Sequence, residues 1–513
     1  MIPRLKSWLP WAGLRWAIVS SLCLVLTVSC HRPPFNPAAP TLSVSPQSHA
    51  VFVHLLEWRW DDIAQECESY LAPHGYGAVQ ISPAAEHVVL PQKGFPWWQR
   101  YQPVSYQLIS RSGNGSQLAR MIERCHKVGV KIYADAVINH MAADPSGIGS
   151  AGTQFDRYRY PGLYEPKDFH TCRKNINNYN DRQQVTNCEL VGLPDLNTSD
   201  PAVQQQIANH LIDLVRLGVD GFRIDAAKHM AAQDIAAILK RVNQAVDPDP
   251  YVYQEVLDPG NEAIKKQEYY ANGRVIEAEY GRTVSEKLMG IEGQSIAQLE
   301  TLGESWGLAP SEKAVVFIDN HDKQRGHAGG GNYLTYKNNR LYDLANVFML
   351  AYPYGTPQVM SSYAFSDPDQ GPPADAQGNT TPVYQNGQVN CFGEWVCEHR
   401  HPAIAAMVDF RNQVGVDSPV VYWWSNGSDQ IAFGRGSSGF VVINRGANSL
   451  TQTLQTDLPP GNYCNVLANG LALERGQDCP PEAIVTVNEQ KQITVTVESL
   501  EAVAIHRQFQ AGG

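Results

Sequence analysis

From Val51 onward the chain alternates two kinds of stretch. In one, apolar residues recur every three or four positions; in the other, a short and nearly continuous apolar run ends in a polar or charged residue. In SQLARMIERCHKVGVKIYADAVINH, Leu118, Met121, Ile122 and Cys125 fall on one helical face, Gly129 ends the helix, and Val130 to Ile138 reads as a strand leading into Asn139 and His140. In SDPAVQQQIANHLIDLVRLGVDGFRID, Asp200 suits the helix cap and Pro201 the first helical position. Val203, Ile207, Leu211 and Leu214 form the apolar stripe, Gly218 stops it, and the next strand ends in Asp225. A helix near Asp234 to Val246 precedes YVYQEVLD, whose run ends around Glu255, and AVVFIDNHD ends in Asp319, Asn320, His321 and Asp322.

Helices alternating with continuous apolar strands predict a parallel sheet covered by helices, either a barrel or a doubly wound sheet. Carboxylates at the ends of several strands favour the barrel, whose sites gather on the face formed by the strands' C-terminal ends. The pattern breaks between His140 and Asp195 into a polar stretch rich in Asn, Tyr and Gly, too long for an ordinary connection, which reads as an inserted subdomain over 141–195. Beyond about Val416 short alternating runs such as GFVVINR and ITVTVESLEAVAIH predict an all-β module over 416–513. The barrel would then be built from 48–140 and 196–415.

The first residues read differently. Arg4, Lys6 and Arg15 precede an apolar core from Trp16 to Val28 that is short for a membrane span, so residues 1–29 are expected to be an export signal. Losing those three basic groups takes the formal charge of the 513-residue chain from -11 to -14, which argues against a nucleic-acid partner. The signal ends in LTVSC, so Cys30 is a candidate for lipidation at a bacterial surface, although Thr27 stands where such signals usually carry Leu; the alternative is plain secretion. HRPPFNPAAP opens a Pro-rich linker over 30–47. Eight cysteines remain, an even number suited to an oxidising compartment, and none has CxxC metal spacing.

Arg223 and Asp225 lie two apart on a strand and therefore share a face. Alone, a strand-end Asp is more often a cap or an ion-pair partner than a catalytic group. Three carboxylates at three strand ends, Asp225, Glu255 and Asp322, converge in a closed barrel, and that combination suits glycoside hydrolysis. The reaction needs one acid to protonate the leaving oxygen and a second carboxylate as nucleophile or base. A cation at Arg223 would hold Asp225 ionised.

In order along the chain, DAVINH (135–140), LPDLN (193–197), GFRIDAAKH (221–229), EVLD (255–258) and FIDNHD (317–322) closely resemble the short regions of the α-amylase family of glycoside hydrolases, above all its animal-type and actinobacterial members. PWWQRYQPVSY, FMLAYPYG, VMSSY and the C-terminal FGRGSSGFVVINR extend the resemblance over most of the chain. It implies a (β/α)8 barrel with a small subdomain inserted after strand 3 and a C-terminal β-sandwich, and an enzyme that cleaves internal α-1,4-glucosidic bonds of starch and related glucans with retention. By resemblance Asp225 is the nucleophile, Glu255 the acid/base and Asp322 the stabiliser of the transition state. His140, Arg223 and His321 would line the cleaved sugar's subsite. Trp97, Trp98, Tyr101 and Gln102 would stack on or bond neighbouring glucoses, and Lys228, His229 and Glu262 would hold sugars beyond the cut.

The resemblance further implies a Ca²⁺ ion held by the side chains of Asn139 and Asp195 and by main-chain carbonyls at Thr186 and His229, hard oxygens of the kind calcium prefers. It pairs Cys67 with Cys125, Cys172 with Cys188, Cys391 with Cys397, and Cys464 with Cys479. Animal-type members often bind chloride with a second basic residue before VMSS; here Gln358 stands there, so chloride is not expected to be required. The chain is expected to act as a monomer on an α-glucan, touching a membrane only through a lipid on Cys30. Two alternatives share the scaffold: a transglycosylase or oligosaccharide-specific hydrolase, and a non-catalytic glucan-binding lipoprotein, which the intact acid triad disfavours.

Overall fold

The computed structural model describes residues 51–468 and 479–510. The expected signal, the linker and Cys30 lie outside the described residues. Eight parallel strands close into a barrel in chain order: β1 (Phe52–Leu55), β2 (Ala78–Ile81), β3 (Lys131–Ala136), β4 (Gly221–Ile224), β5 (Tyr251–Gln254), β6 (Arg274–Ile276), β7 (Ala314–Val316) and β8 (Thr356–Ser361), with β8 pairing back onto β1. The doubly wound alternative is thereby excluded. Registers fix which side chains meet inside: Arg223 lies opposite Asp135, His54 opposite Gln80, and Phe52 opposite Gln358.

The helices form where the apolar spacing placed them. Helix α1 (Trp60–Glu66) precedes α2 (Gly115–Lys127), which buries Leu118, Met121, Ile122 and Cys125 and starts at Asn114, whose side chain accepts from Gln117 N while the Gln117 side chain accepts from Asn114 N. In the insert, α3 (Arg182–Asn187) is a short helix. Helix α4 (Pro201–Leu217) is capped by Asp200, which accepts from Ala202 N, and is ended by Gly218 at φ 113°, a value that glycine adopts without strain. Helices α5 (Ala232–Asn243), α6 (Ala278–Met289), α7 (Arg340–Ala351) and α8 (Pro402–Val414) follow.

Two strands are shorter than their apolar runs. β3 stops at Ala136, whose carbonyl takes the last ladder bond from Asp225 N; beyond it Asn139 O accepts from Leu196 N and His140 bridges to Asp195, so the chain leaves the barrel to meet the insert. β7 stops at Val316, the residue registered with Pro357. Phe317 to Asp322 therefore form a loop that carries Asp322 over the barrel mouth.

Between β3 and β4 the insert contains an antiparallel pair (Ser146–Ile148 with Gln154–Asp156) and a short parallel pair (Cys172–Asn175 with Cys188–Glu189). After α8 two four-stranded antiparallel sheets pack face to face. One is β9 (Val420–Ser425), β10 (Gln430–Arg435), β11 (Gly439–Asn444) and β16 (Glu501–His506); the other is β12 (Leu450–Gln455), β13 (Gly461–Cys464), β14 (Ile484–Val487) and β15 (Gln492–Val497). Ala432, Phe440, Val442, Leu450, Leu454 and Ile493 fill the space between them. All four disulfides implied by the resemblance are formed. Among the described residues no helix is long and apolar enough to cross a membrane.

Candidate active site

Strand β4 ends by delivering Arg223 and Asp225 to the mouth. Asp225 is followed by Ala226 at φ 49°, a left-handed conformation costly for a side-chain-bearing residue, which turns the chain sharply into a 3-10 turn, Ala227–His229. The turn is tied to the next strand end: Ala226 N donates to Glu255 Oε2 (2.9 Å) and Lys228 N to Glu255 O (3.1 Å). Two neighbouring strands thus lock Asp225 and Glu255 side by side.

Arg223 is buried at the centre. Its Nη1 donates to Asp135 Oδ1 (2.6 Å) and Asp225 Oδ1 (2.7 Å), and its Nη2 lies 2.9 Å from Glu255 Oε1. The sequence pairs this cation with Asp225 alone; the fold makes it serve three carboxylates. Burial pushes the Asp225 carboxyl well above its ordinary range, Arg223 pulls the other way, and the neighbouring Glu255 and Asp135 add to the rise. Asp135 is raised by burial in the same manner, against Arg223 and the Tyr101 hydroxyl. One cation thus faces three acids, and burial raises the carboxyls of Asp225 and Asp135 among them.

Asp322 hangs from the β7 loop beside His321, whose Nε2 is 3.5 Å from Asp322 Oδ2. Burial raises its carboxyl too, with Arg223 opposing. The His321 ring stacks on Tyr101 (centroids 5.0 Å apart) and meets Trp97 edge-on (5.3 Å), while the Tyr101 hydroxyl donates to Asp135 Oδ2 (3.0 Å). His140 Nε2 lies 3.0 Å from Tyr101 O, and burial holds this imidazole down to about 4, so it is neutral. Trp97 donates through Nε1 to Pro368 O (2.9 Å).

The remaining expected residues lie farther out. Trp98 is half-buried under the Lys93 ammonium (5.1 Å from the ring), and Gln102 accepts from Ala143 N (3.0 Å) through its side-chain oxygen, so that oxygen already braces the start of the insert. Lys228 Nζ donates to Leu257 O (2.6 Å) and to Glu262, and sits 5.0 Å from the Tyr179 ring. His229 Nδ1 is 3.1 Å from Val185 O, which fastens the 227–229 turn to α3.

Thr186 lies on that same α3, in the helix that packs on the 227–229 turn. Asn139 Oδ1 and Asp195 Oδ1 are both buried without a hydrogen-bond partner, an expensive condition for two acceptors. Asp195 Oδ2 is engaged 2.7 Å from His170 Nδ1, and burial raises the carboxyl to about 7. Among the described residues no three His, Cys, Asp or Glu side chains gather as a metal cluster. The implied donors are of another kind, one carboxylate, one amide and two carbonyls, and the two free oxygens fit a hard cation.

Sequence reasoning passes over Asp135 as a site residue, although a lone acid in the apolar run KIYADAV is a visible signal. Gln80, Tyr253 and Tyr179 are missed as well: each is a single polar residue on a separate strand or loop, and only closure of the barrel relates them.

Comparison with known proteins agrees with this arrangement. Residues 69–361 match the family model for the α-amylase catalytic domain, and residues 423–508 match that for the α-amylase C-terminal all-β domain. The chain is 46% identical to pancreatic alpha-amylase 2a5 of Mus musculus, over 81% of this chain and 86% of that protein, and 49% identical to the alpha-amylase of Tribolium castaneum with the same coverage. Alpha-amylase I of Eisenia fetida, solved as a mutant in complex with maltohexaose, superposes with a TM-score of 0.83 at 42% identity, covering 89% of this chain and 97% of that one. A barrel whose mouth gathers Asp225, Glu255 and Asp322, carried on a chain with this much shared sequence, belongs to the α-amylase family.

Proposed function

We propose that this enzyme is an exported endo-acting α-amylase that hydrolyses α-1,4-glucosidic bonds of starch-like glucans with retention. The observation that carries the reading is the single buried guanidinium of Arg223 held between Asp225 and Glu255 at the ends of adjacent strands. Asp225 attacks the anomeric carbon while Glu255 gives its proton to the departing glucosidic oxygen; Glu255 then takes a proton from the water that releases the sugar. Arg223 stabilises the charge on the nucleophile. Asp322 faces the developing positive charge from the opposite strand end. Tyr101, His140 and His321 form the walls for the cleaved sugar, Trp97, Trp98 and Gln102 the side toward the non-reducing chain, and Lys228, His229 and Glu262 the far side.

Asn139, Asp195, Thr186 and His229 would hold Ca²⁺; the ion would supply positive charge to the two buried free oxygens and clamp the insert to the catalytic turn. Gln358 contributes no charge beneath Arg223, so turnover proceeds without added chloride. Four disulfides among the described residues suit an extracellular protein.

Soluble starch and maltotriose incubated with the purified enzyme should give internal cleavage of the polymer, with products that first appear as the α-anomer. Asp225→Asn should lower kcat by about 10⁴-fold or more, the scale of losing a nucleophile. Starch degradation that survives Asp225→Asn, or β-anomeric products, would remove the assignment.

A further inference from the structure

Beneath the catalytic residues lies a chain of hydrogen bonds that runs through Gln80, Tyr253 and Gln358 to Asp135. Gln80, on β2, is buried inside the barrel, and its Nε2 donates to Asp135 Oδ2 (3.1 Å). Its Oε1 accepts from the Tyr253 hydroxyl (2.7 Å) on β5 and from Gln358 Nε2 on β8. The direction of this chain is forced. Asp135, as a carboxylate, can only accept, so the amide nitrogen of Gln80 must face it; the amide oxygen is then left for two donors, and Gln358 and Tyr253 are the two present.

Asp135 is in turn the anchor of Arg223. It accepts from Arg223 Nη1 through Oδ1, and from Gln80 and Tyr101 through Oδ2. Of these donors, Arg223 belongs to the reacting cluster and Tyr101 to the sugar wall. Gln80 alone comes from below, held by side chains from two further strands. Side chains from β2, β3, β4, β5 and β8 are thereby joined into one network that ends on Asp225 and Glu255.

We propose that Gln80, braced by Gln358 and Tyr253, is a positioning residue: through Asp135 it aims the Arg223 guanidinium so that Nη1 stays on Asp225 and Nη2 beside Glu255. The proposal rests on the catalytic roles given above. Other groups facing the network are His54 on β1, the neutral hydroxyls of Tyr253 and Tyr101, Asp322 and His321 from the β7 loop with the Lys323 and Arg325 cations behind them, and the neutral amide of Gln358; Arg223 is the cation bonded to Asp135. Loss of the Gln80 donor leaves Asp135 with fewer hydrogen bonds to its charged form, so it takes up a proton more readily. A neutral Asp135 neither tethers Arg223 nor competes for its charge. The remaining acids then lose protons at lower pH, and the group that must donate a proton is exhausted sooner as pH rises.

The test uses the full-length enzyme and its Gln80→Met and Gln358→Met variants, with kcat, KM and kcat/KM on soluble starch recorded against pH and melting temperature recorded alongside. Gln80→Met should lower kcat by about 10- to 100-fold, the cost of a small misalignment of reacting groups. KM should stay within about two-fold, since the sugar walls are untouched. The alkaline limb of kcat/KM should move to lower pH, and Gln358→Met, which removes only the brace behind Gln80, should move it the same way by less. An alkaline limb left in place in Gln80→Met overturns the inference. If that variant does not fold, an unmoved limb in Gln358→Met overturns it instead. A wild-type enzyme that does not hydrolyse starch overturns the parent reading, a separate outcome from active wild type with indifferent variants.

Discussion

The barrel mouth and the C-terminal sandwich bury polar residues in opposite ways. In the sandwich, Asn444 donates to Asn448 O, Val497 O and Glu498 O while its oxygen accepts from Gly446 N and Gln430, and Asn465 accepts from Leu467 N and Ala504 N. The space between its sheets is apolar. At the mouth, Asp135, Arg223, Asp225, Glu255 and Asp322 are packed together, and Asn139 Oδ1, Asp195 Oδ1 and His321 Nδ1 have no protein partner. The sandwich has its own partnerless buried atom in Trp423 Nε1, a lone indole donor, whereas at the mouth two partnerless oxygens, Asn139 Oδ1 and Asp195 Oδ1, belong to one implied ion site.

Three experiments sharpen or break this contrast. The largest effect is expected from thorough chelation, which should lower the melting transition by an amount equivalent to about 3–4 kcal/mol, the stabilisation lost when a ligand present at 100 to 1,000 times its Kd is removed. Hydrogen exchange should rise in 139–195 and stay constant in 420–468 and 479–506. An unchanged melting transition would sink the calcium reading, and equal loosening of both segments would erase the contrast.

The next effect concerns Arg435 of β10, the sandwich's buried cation, which faces carbonyls: Ser418 O, Gly415 O, Val416 O and Ala351 O at the end of α7. Arg435→Met leaves these acceptors partly unpaired and should cost about 2 kcal/mol, the scale of an orphaned buried group. The melting temperature should fall while kcat/KM well below it is unchanged; a parallel loss of activity would mean that the sandwich tunes the mouth.

The smallest effect lies at neither site. His126, about a third exposed, has its proton affinity raised by its hydrogen bond to Asp220 (2.8 Å). Because the folded value is raised, the contribution is complete below the unfolded value near 6.5 and is lost as pH climbs through the folded one. His126→Gln should destabilise by a few tenths of a kcal/mol at mildly acidic pH, as exposed pairs do, and by nothing in alkaline solution. A difference that persists at high pH would contradict the assignment.

The helices were legible because each carries its own signals: the stripes of α2 and α4, the Asp200 cap and the Gly218 stop all operate within a few residues. So was the placement of Asp225, Glu255 and Asp322 at the barrel mouth, each a charge at the end of an apolar run. Strand ends were less so: beyond β3 the next carbonyl, Asn139 O, is taken by Leu196 N from the far side of the insert, and nothing local marks the end of β7. The Gln358–Gln80–Asp135 chain was not legible, because its members are separated by 278 and 55 positions and each reads alone as one polar residue in an apolar strand. Arg435 is similar: the residues it holds together lie on α7 and after α8, and nothing local marks it as a clasp.

The fastening of His229 to Val185 divides the insert into a part that can change length and a part that cannot. From Val185 to Leu196 the chain is pinned at both ends to the catalytic turn and to the end of β3, so one added residue there would drag Asp195 or Thr186 out of register with the mouth. The exposed turn at Pro161 and Gly162, between the buried Tyr160 and Tyr164, carries no such tie and can lengthen without moving the 185–196 segment. Divergence in substrate reach within this lineage is therefore expected to accumulate as insertions in the outer hairpins, with the 185–196 segment fixed in length.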